Sequence, residues 1–461
     1  MRVNNKLITL VALAISWTAA YSFSVPFWPF PPEQQKPVPS EDPELSREVV
    51  WGEKDIKHLR LAVNSDPSNS VTILWTTNSY SIADKKAYLS KKDFGMNTEN
   101  YELEFTPEKI TNYRGLLTAV VKAENLEPNT KYYFVVKDDR EGKLTKRYWF
   151  KTASDKSTDP LYVVAGGDSR NNRVVRRKSN IMVKKLRPDF VFFGGDFTAR
   201  GSRNEWNKWF DDWTFTYGDD GKVTPIVAAR GNHEYTANSL ELLFNGAKNM
   251  YYDVPFHGDL LNLYVLNTEI SMAGDQLNWL KSAITKSENF TWNSSIYHRT
   301  MRPHSTVKEE GWQQYRYWAP LFYVYNMDLV IESDTHVMKV TWPLKPSSEE
   351  GNFEGFVRDD HRGTVYIGEG TWGAPLKRSD DPKPWTRAYG SVNQVKWLKI
   401  TKDKMAVRTV LSENATKLNQ VEDAARFEKP SNLMMYEGDG GEIELKPKSE
   451  RIKDWNQSQG R

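Results

Sequence analysis

The chain has 461 residues, 39% of them apolar, which is enough to build two domains or more. Its 63 basic and 60 acidic residues leave a formal net charge of +3, so no broad polyanion-binding surface is expected and nucleic acid is not an expected partner. The absence of cysteine excludes disulfides, thiolate metal ligands and a lipid anchor on cysteine.

Residues 1–22 read as a signal peptide: Arg2 and Lys6 form a basic start, Leu7 to Ile15 an apolar stretch, and Thr18-Ala19-Ala20 or Ala20-Tyr21-Ser22 a cleavage site. Leu7 to Tyr21 falls short of the ~20 apolar residues that span a bilayer, and no later stretch approaches that length. No stable membrane insertion is expected, and the mature chain is expected to be periplasmic or secreted. Residues 23–45 hold a run of prolines from Pro26 to Pro43 and are expected to be an extended linker.

Residues 46–153 alternate in short strands, with Leu59 to Val63, Val71 to Thr76, Leu116 to Val121, Lys131 to Lys137 and Arg147 to Lys151 as candidates. Asp66-Pro67-Ser68-Asn69 and Glu127-Pro128-Asn129 supply turns, so a β-sandwich is expected. From 159 to 411 the pattern becomes strand, loop, helix. The run Leu161 to Ala165 ends at Gly167-Asp168, a helical spacing covers Arg173 to Leu186 before Pro188, and Phe190 to Phe193 ends at Gly195-Asp196. Ile226 to Ala229, Asn262 to Leu266, Ser295 to Tyr297 and Leu329 to Glu332 repeat the arrangement. A layered α/β domain follows, with its site on loops at the strand ends. The whole is α+β and multidomain. Residues 412–461 turn polar and lysine-rich and read as a tail or minor appendage.

Five segments each end a candidate strand with a side chain able to bind a metal: Asp168-Ser169-Arg170, Gly195-Asp196, Gly231-Asn232-His233-Glu234, Tyr297-His298 and Asp334-Thr335-His336. Asp, Asn and His gathered at one edge of a sheet suit a pair of cations. The order and spacing of these segments resemble the calcineurin-like metallophosphoesterases, purple acid phosphatases included. Leu59 to Trp75 and Leu126 to Lys151 are similar to the fibronectin-type domain that precedes the catalytic domain in purple acid phosphatases.

The resemblance implies two metal ions, divalent or trivalent, drawn from Fe, Mn, Zn or Mg. Asp168 and His336 match ligands of the first metal, Asp196 the bridge, and Asn232 and His298 ligands of the second. His233 matches a histidine that contacts the phosphoryl group or helps the leaving group depart, with Glu234 expected to orient it. Three positions depart from the family pattern. Ala199 stands where purple acid phosphatases carry the colour-giving tyrosine, and Arg170 stands where other members place a histidine. Asp334 replaces a second-metal histidine and favours a harder ion.

His304, on the loop after His298, is a candidate general acid, and Arg170, Arg299 and Arg302 are candidates to hold an anionic ester. Trp372, in a glycine-rich turn, is a candidate to cover the substrate, while Trp206, Trp209 and Trp213 at helical spacing are expected in the core. The implied activity is hydrolysis of phosphate monoesters, with diesters as the alternative, by attack of a metal-bound hydroxide on a small phosphorylated substrate. The competing reading is a degenerate, non-catalytic binder of metal, phosphate or a phosphorylated glycan, and Arg170 and Asp334 are the residues that favour it.

Overall fold

A computed structural model describes residues 42–458, apart from Lys54 and residues 139–142. The expected signal peptide and most of the proline-rich stretch lie outside the described residues.

Two large sheets organise the chain. The first has ten strands, and its centre is built from Leu161–Gly166, Phe190–Phe193 and Ile226–Ala228, which pair in parallel. All three are buried along their whole length, as a sheet covered on both faces requires. The second sheet has seven strands, with Leu261–Val265, Trp292–Arg299, Leu329–Ser333 and Val365–Gly368 as parallel neighbours. The two sheets share one core, in which the Phe256 ring meets Phe190 and Phe192 at 4.9 and 5.3 Å.

Helices cover the outer face of the first sheet. The Arg173–Leu186 helix starts on an Asn172 side chain that accepts from Val175 N, and it buries Ile181, Met182, Val183 and Leu186. The Arg203–Trp213 helix opens with a capping box between Ser202 and Glu205. Its Trp206, Trp209 and Trp213 are all buried, and Trp209 stacks on Trp213 at 4.9 Å.

The N-terminal strands divide between two sheets. Lys85–Ser90, Leu103–Phe105, Lys131–Asp138, Lys143–Leu144 and Tyr148–Lys151 form one of them. Lys57–Ala62, Val71–Thr77, Lys109–Tyr113 and Leu116–Ala123 instead extend the ten-stranded sheet, because Ala62 pairs in parallel with Ile226. The two N-terminal layers enclose a core of their own around Ile73, Trp75, Leu89 and Phe134.

The stretch after Leu411, expected to be a tail, is instead folded into the first sheet. Glu442–Leu445 pairs with Met405–Leu411, and Phe427 packs on Trp397 at 4.6 Å. Its polar composition hides an alternation in which Ile443 and Leu445 turn inward and the two glutamates outward. Among the described residues, no helix is long and apolar enough to cross a membrane.

Candidate metal centre

The parallel strands of both sheets deliver their following loops to a common edge. Asp168 N donates to Gly195 O at 2.9 Å, and Asp334 N donates to Asp168 Oδ2 at 2.8 Å. These bonds lace the loops after three strands together. Asp168, Arg170, Asp196, Asp334 and His336 all have positive φ, between 21 and 70°. A non-glycine residue held in that region costs on the order of 1–3 kcal/mol, so surrounding packing must over-determine each one. Gly370, at φ +74°, passes so close to Asp168 that a side chain there would overlap its carboxylate.

Two groups of donors result, sharing Asp196. In the first, ligand atoms of Asp168, Asp196 and His336 lie within 4.8 Å of one another. His336 Nδ1 donates to Pro375 O at 2.9 Å, which turns the Nε2 lone pair toward Asp168 Oδ1, 3.2 Å away. In the second, His298 Nδ1 donates to Gly194 O at 2.9 Å. Its Nε2 then faces Asn232 Oδ1 at 3.0 Å, Asp196 Oδ1 at 3.3 Å and Asp334 Oδ1 at 3.5 Å. A histidine anchored through one nitrogen to a carbonyl, with the other aimed at carboxylates, is the arrangement of a metal ligand.

The residues fit a bound cation. Asp168 Oδ1 and Asp196 Oδ2 are buried and receive no hydrogen bond from any described residue. Buried carboxylate oxygens without donors are costly, and a cation between facing acceptors relieves that cost. Burial alone would lower the His298 pKa, yet Asp196, Asp168 and Asp334 outweigh it and hold it well above the ordinary value. Hard oxygen donors with imidazole suit Mn, Fe, Zn or Mg.

His233 lies at the mouth of the centre. Its Nδ1 is held by Ala199 O, and its Nε2 stands 3.8 Å from Asp196 Oδ2. Glu234 does not orient it, contrary to expectation. The Glu234 carboxylate is fully buried and accepts from the backbone N–H groups of Asp196, Phe197 and Gly231 at 2.8–3.0 Å. It therefore ties the two loops together beneath the ligands.

Three other expected site residues are placed elsewhere. His304 is buried and spends both nitrogens, Nδ1 on Glu369 Oε1 at 3.2 Å and Nε2 on Thr386 Oγ1 at 2.6 Å. Arg302 is buried between Trp312 and Tyr315, each ring 4.5 Å away, and donates to Glu354 O and Met301 O. Arg299, by contrast, lines the cleft that also holds Asp334, and it is held there by two bonds to Glu269 of 2.8 and 3.0 Å. Trp372 is fully buried and donates to Asn180 Oδ1 at 2.8 Å, so it supports the centre from inside and covers no substrate.

Arg170 does reach the centre, with Nη1 3.3 Å from His336 Nε2. Two cations that the sequence reading missed join it. Lys308 pairs with Asp334 Oδ1, and burial with Lys308 nearby pushes the Lys377 pKa down to about 8. Lys377 also donates its backbone N–H to His336 O at 3.2 Å. Neither lysine belongs to a motif; only the fold of the loops at 300–311 and 369–385 brings them here.

Residues 164–338 match the family model of the calcineurin-like phosphoesterases, and residues 56–152 match that of the purple acid phosphatase N-terminal domain. Residues 164–338 are a calcineurin-like phosphoesterase domain. With that domain the protein is a hydrolase of phosphoester bonds, and the domain's family uses dinuclear metal centres. Its fold is similar to that of the purple acid phosphatase PPD1 from yellow lupin (Lupinus luteus) seeds, with a TM-score of 0.66 and 15% identity, covering 87% of this chain and 76% of that one. It is also similar to PhoD, with a TM-score of 0.61 and 11% identity, over 87% of this chain and 98% of that one. No curated protein matches it in sequence.

Proposed function

We propose that this phosphoesterase is exported and hydrolyses phosphate monoesters at the centre formed by Asp168, Asp196, Asn232, His298, Asp334 and His336. The observation that carries the reading is the pair of donor groups sharing Asp196, with Nε2 of His336 and of His298 facing carboxylates. Metal ions held there would supply Lewis-acid charge toward the phosphoryl oxygens and acidify a water for attack.

The protein's own groups have three tasks. Arg170, Lys308 and Lys377 bring positive charge to the rim, which suits the dianion of a monoester better than the single charge of a diester. His233, fixed through Nδ1, presents Nε2 where a proton can pass to the leaving oxygen. Glu234 holds the loops of Asp196 and Asn232 in register, so that the ligands need no rearrangement on binding. His304 has no part in the proton transfer, since both its nitrogens are engaged.

Asp196→Asn tests the reading, because Asp196 belongs to both donor groups. Metal content by elemental analysis and hydrolysis of p-nitrophenyl phosphate and bis(p-nitrophenyl) phosphate are the measurements. The wild type should prefer the monoester, and the variant should lose bound metal and fall by about a thousandfold in rate with an unchanged circular dichroism spectrum. A variant that hydrolyses normally, or a wild type that binds phosphate but turns nothing over, would hand the centre to the non-catalytic binding reading. Fractionation of the producing cells should find the protein outside the cytoplasm, with an N-terminus cut after Ala20 or Ser22; protein confined to the cytoplasm with an intact Met1 would refute export.

A further inference from the structure

A wide cleft of about 1020 Å³ opens directly from the metal centre, since Asp334 lies on its wall and within 3.5 Å of His298. A phosphate group needs only a small part of that space, and drug-sized ligands fill sites of roughly 300–1,000 Å³. Trp312 stands in the cleft and is 60% exposed, an unusual position for the largest apolar side chain.

Trp312 is nonetheless held in place. The Arg302 guanidinium lies 4.5 Å from the ring centre, and Arg302 is itself fixed by Met301 O, Glu354 O and Glu310. The indole thus has a charged group packed against it on the protein side and open space toward the cleft. The cleft wall also holds Glu309 and Gln313, which offer hydrogen-bond acceptors to hydroxyl groups, and Glu269, which Arg299 engages.

We infer that this cleft receives the leaving group, and that the group is a sugar: a ring with an apolar face to lie on Trp312 and hydroxyls to meet the polar wall. The substrate class is then a sugar phosphate. This rests on the phosphomonoesterase reading above. Lys308, which lines the cleft and pairs with Asp334, marks the junction between the phosphate and sugar portions.

Rates with glucose 6-phosphate and with methyl phosphate, which has no ring, test the inference on the full metal-loaded chain. The wild type should favour the sugar ester by about tenfold or more in kcat/KM. Trp312→Ala should bring that ratio close to one, chiefly through KM, and Trp312→Phe should keep most of it. A wild type without preference, or a Trp312→Ala variant that slows both esters equally, would overturn the sugar subsite. Calorimetric titration with glucose 6-phosphate and with inorganic phosphate separates the two readings. Tighter binding of the sugar ester, lost in Trp312→Ala, upholds the cleft even if no ester is hydrolysed and only the enzymatic reading fails. Equal binding of both ligands rejects the cleft whatever the activity.

Discussion

Asp334 is contested by two partners. Its Oδ1 faces the His298 imidazole, and the same atom takes the Lys308 ammonium. Burial would raise its pKa, but His298 and Lys308 outweigh that and hold it well below the usual carboxylate range. A carboxylate already neutralised by a lysine is a poorer ligand, because an incoming ion must compete with a charge-assisted bond. Lys308→Met should therefore release Asp334 to the second donor group. We expect the weaker of the Mn²⁺ affinities to improve by about tenfold, for ~1.4 kcal/mol of relieved competition. Equilibrium dialysis would show it, and an unchanged or weaker second affinity would mean that Lys308 and a metal do not compete for Asp334.

Between the two outer helices, one buried carboxylate holds three arginines. Asp212 of the Arg203–Trp213 helix accepts from Arg173, Arg176 and Arg177 of the Arg173–Leu186 helix at 2.5–3.1 Å, and its carbonyl accepts from Asn180. Arg176 and Arg177 are buried, so their charges have little water to fall back on. Asp212→Ala should cost about 3–5 kcal/mol, because it leaves guanidinium groups buried without their counter-charge. Urea denaturation measures this; a cost below ~1 kcal/mol would show that water replaces the carboxylate. The Gln394–Ile400 strand carries the opposite case. Lys396 is buried there with its ammonium on Thr409 Oγ1 at 2.8 Å, and burial pushes its pKa down to about 7. Between pH 7 and about 10.5 the unfolded chain binds a proton that the folded one lacks, so this lysine makes stability rise with pH across that window. Lys396→Met should stabilise the protein near pH 7, on the order of 2–4 kcal/mol, and flatten the rise. A melting profile from pH 6.5 to 10 with the same slope in both proteins would refute it.

At the scale of the whole molecule, what the sequence made legible is what periodic patterns encode. The Arg173–Leu186 helix was readable from its apolar spacing and from Pro188, and the strands bearing Asp168 and Asp196 from apolar runs ending in glycine. The candidate ligands were readable because each follows a strand or, like His298, lies at the end of one. His304 and Arg302 were not, since a loop sequence carries no sign of which side chains turn inward. Lys308 and Lys377 escaped notice because only tertiary folding brings their loops to Asp334. The C-terminal stretch misled by composition: Leu418, Val421 and Phe427 are isolated apolar residues in a polar run, yet all three join the main core. That placement makes residues 412–445 structural. Phe427 lies against Trp397 at 4.6 Å and under the Arg408 guanidinium at 3.9 Å, and Glu442–Leu445 covers the edge of Met405–Leu411. A chain ending at Leu411 would expose Trp397 and an unpaired strand edge, which invites association between copies. We expect that chain to be aggregated or to melt well below the full protein. Phe427→Ala, which keeps the edge strand, should cost only the ~3–5 kcal/mol of a large buried ring replaced by alanine. Light scattering and thermal melts distinguish the two effects. A monomeric truncated chain that melts with the full protein would show that the segment lies on the sheet without supporting it.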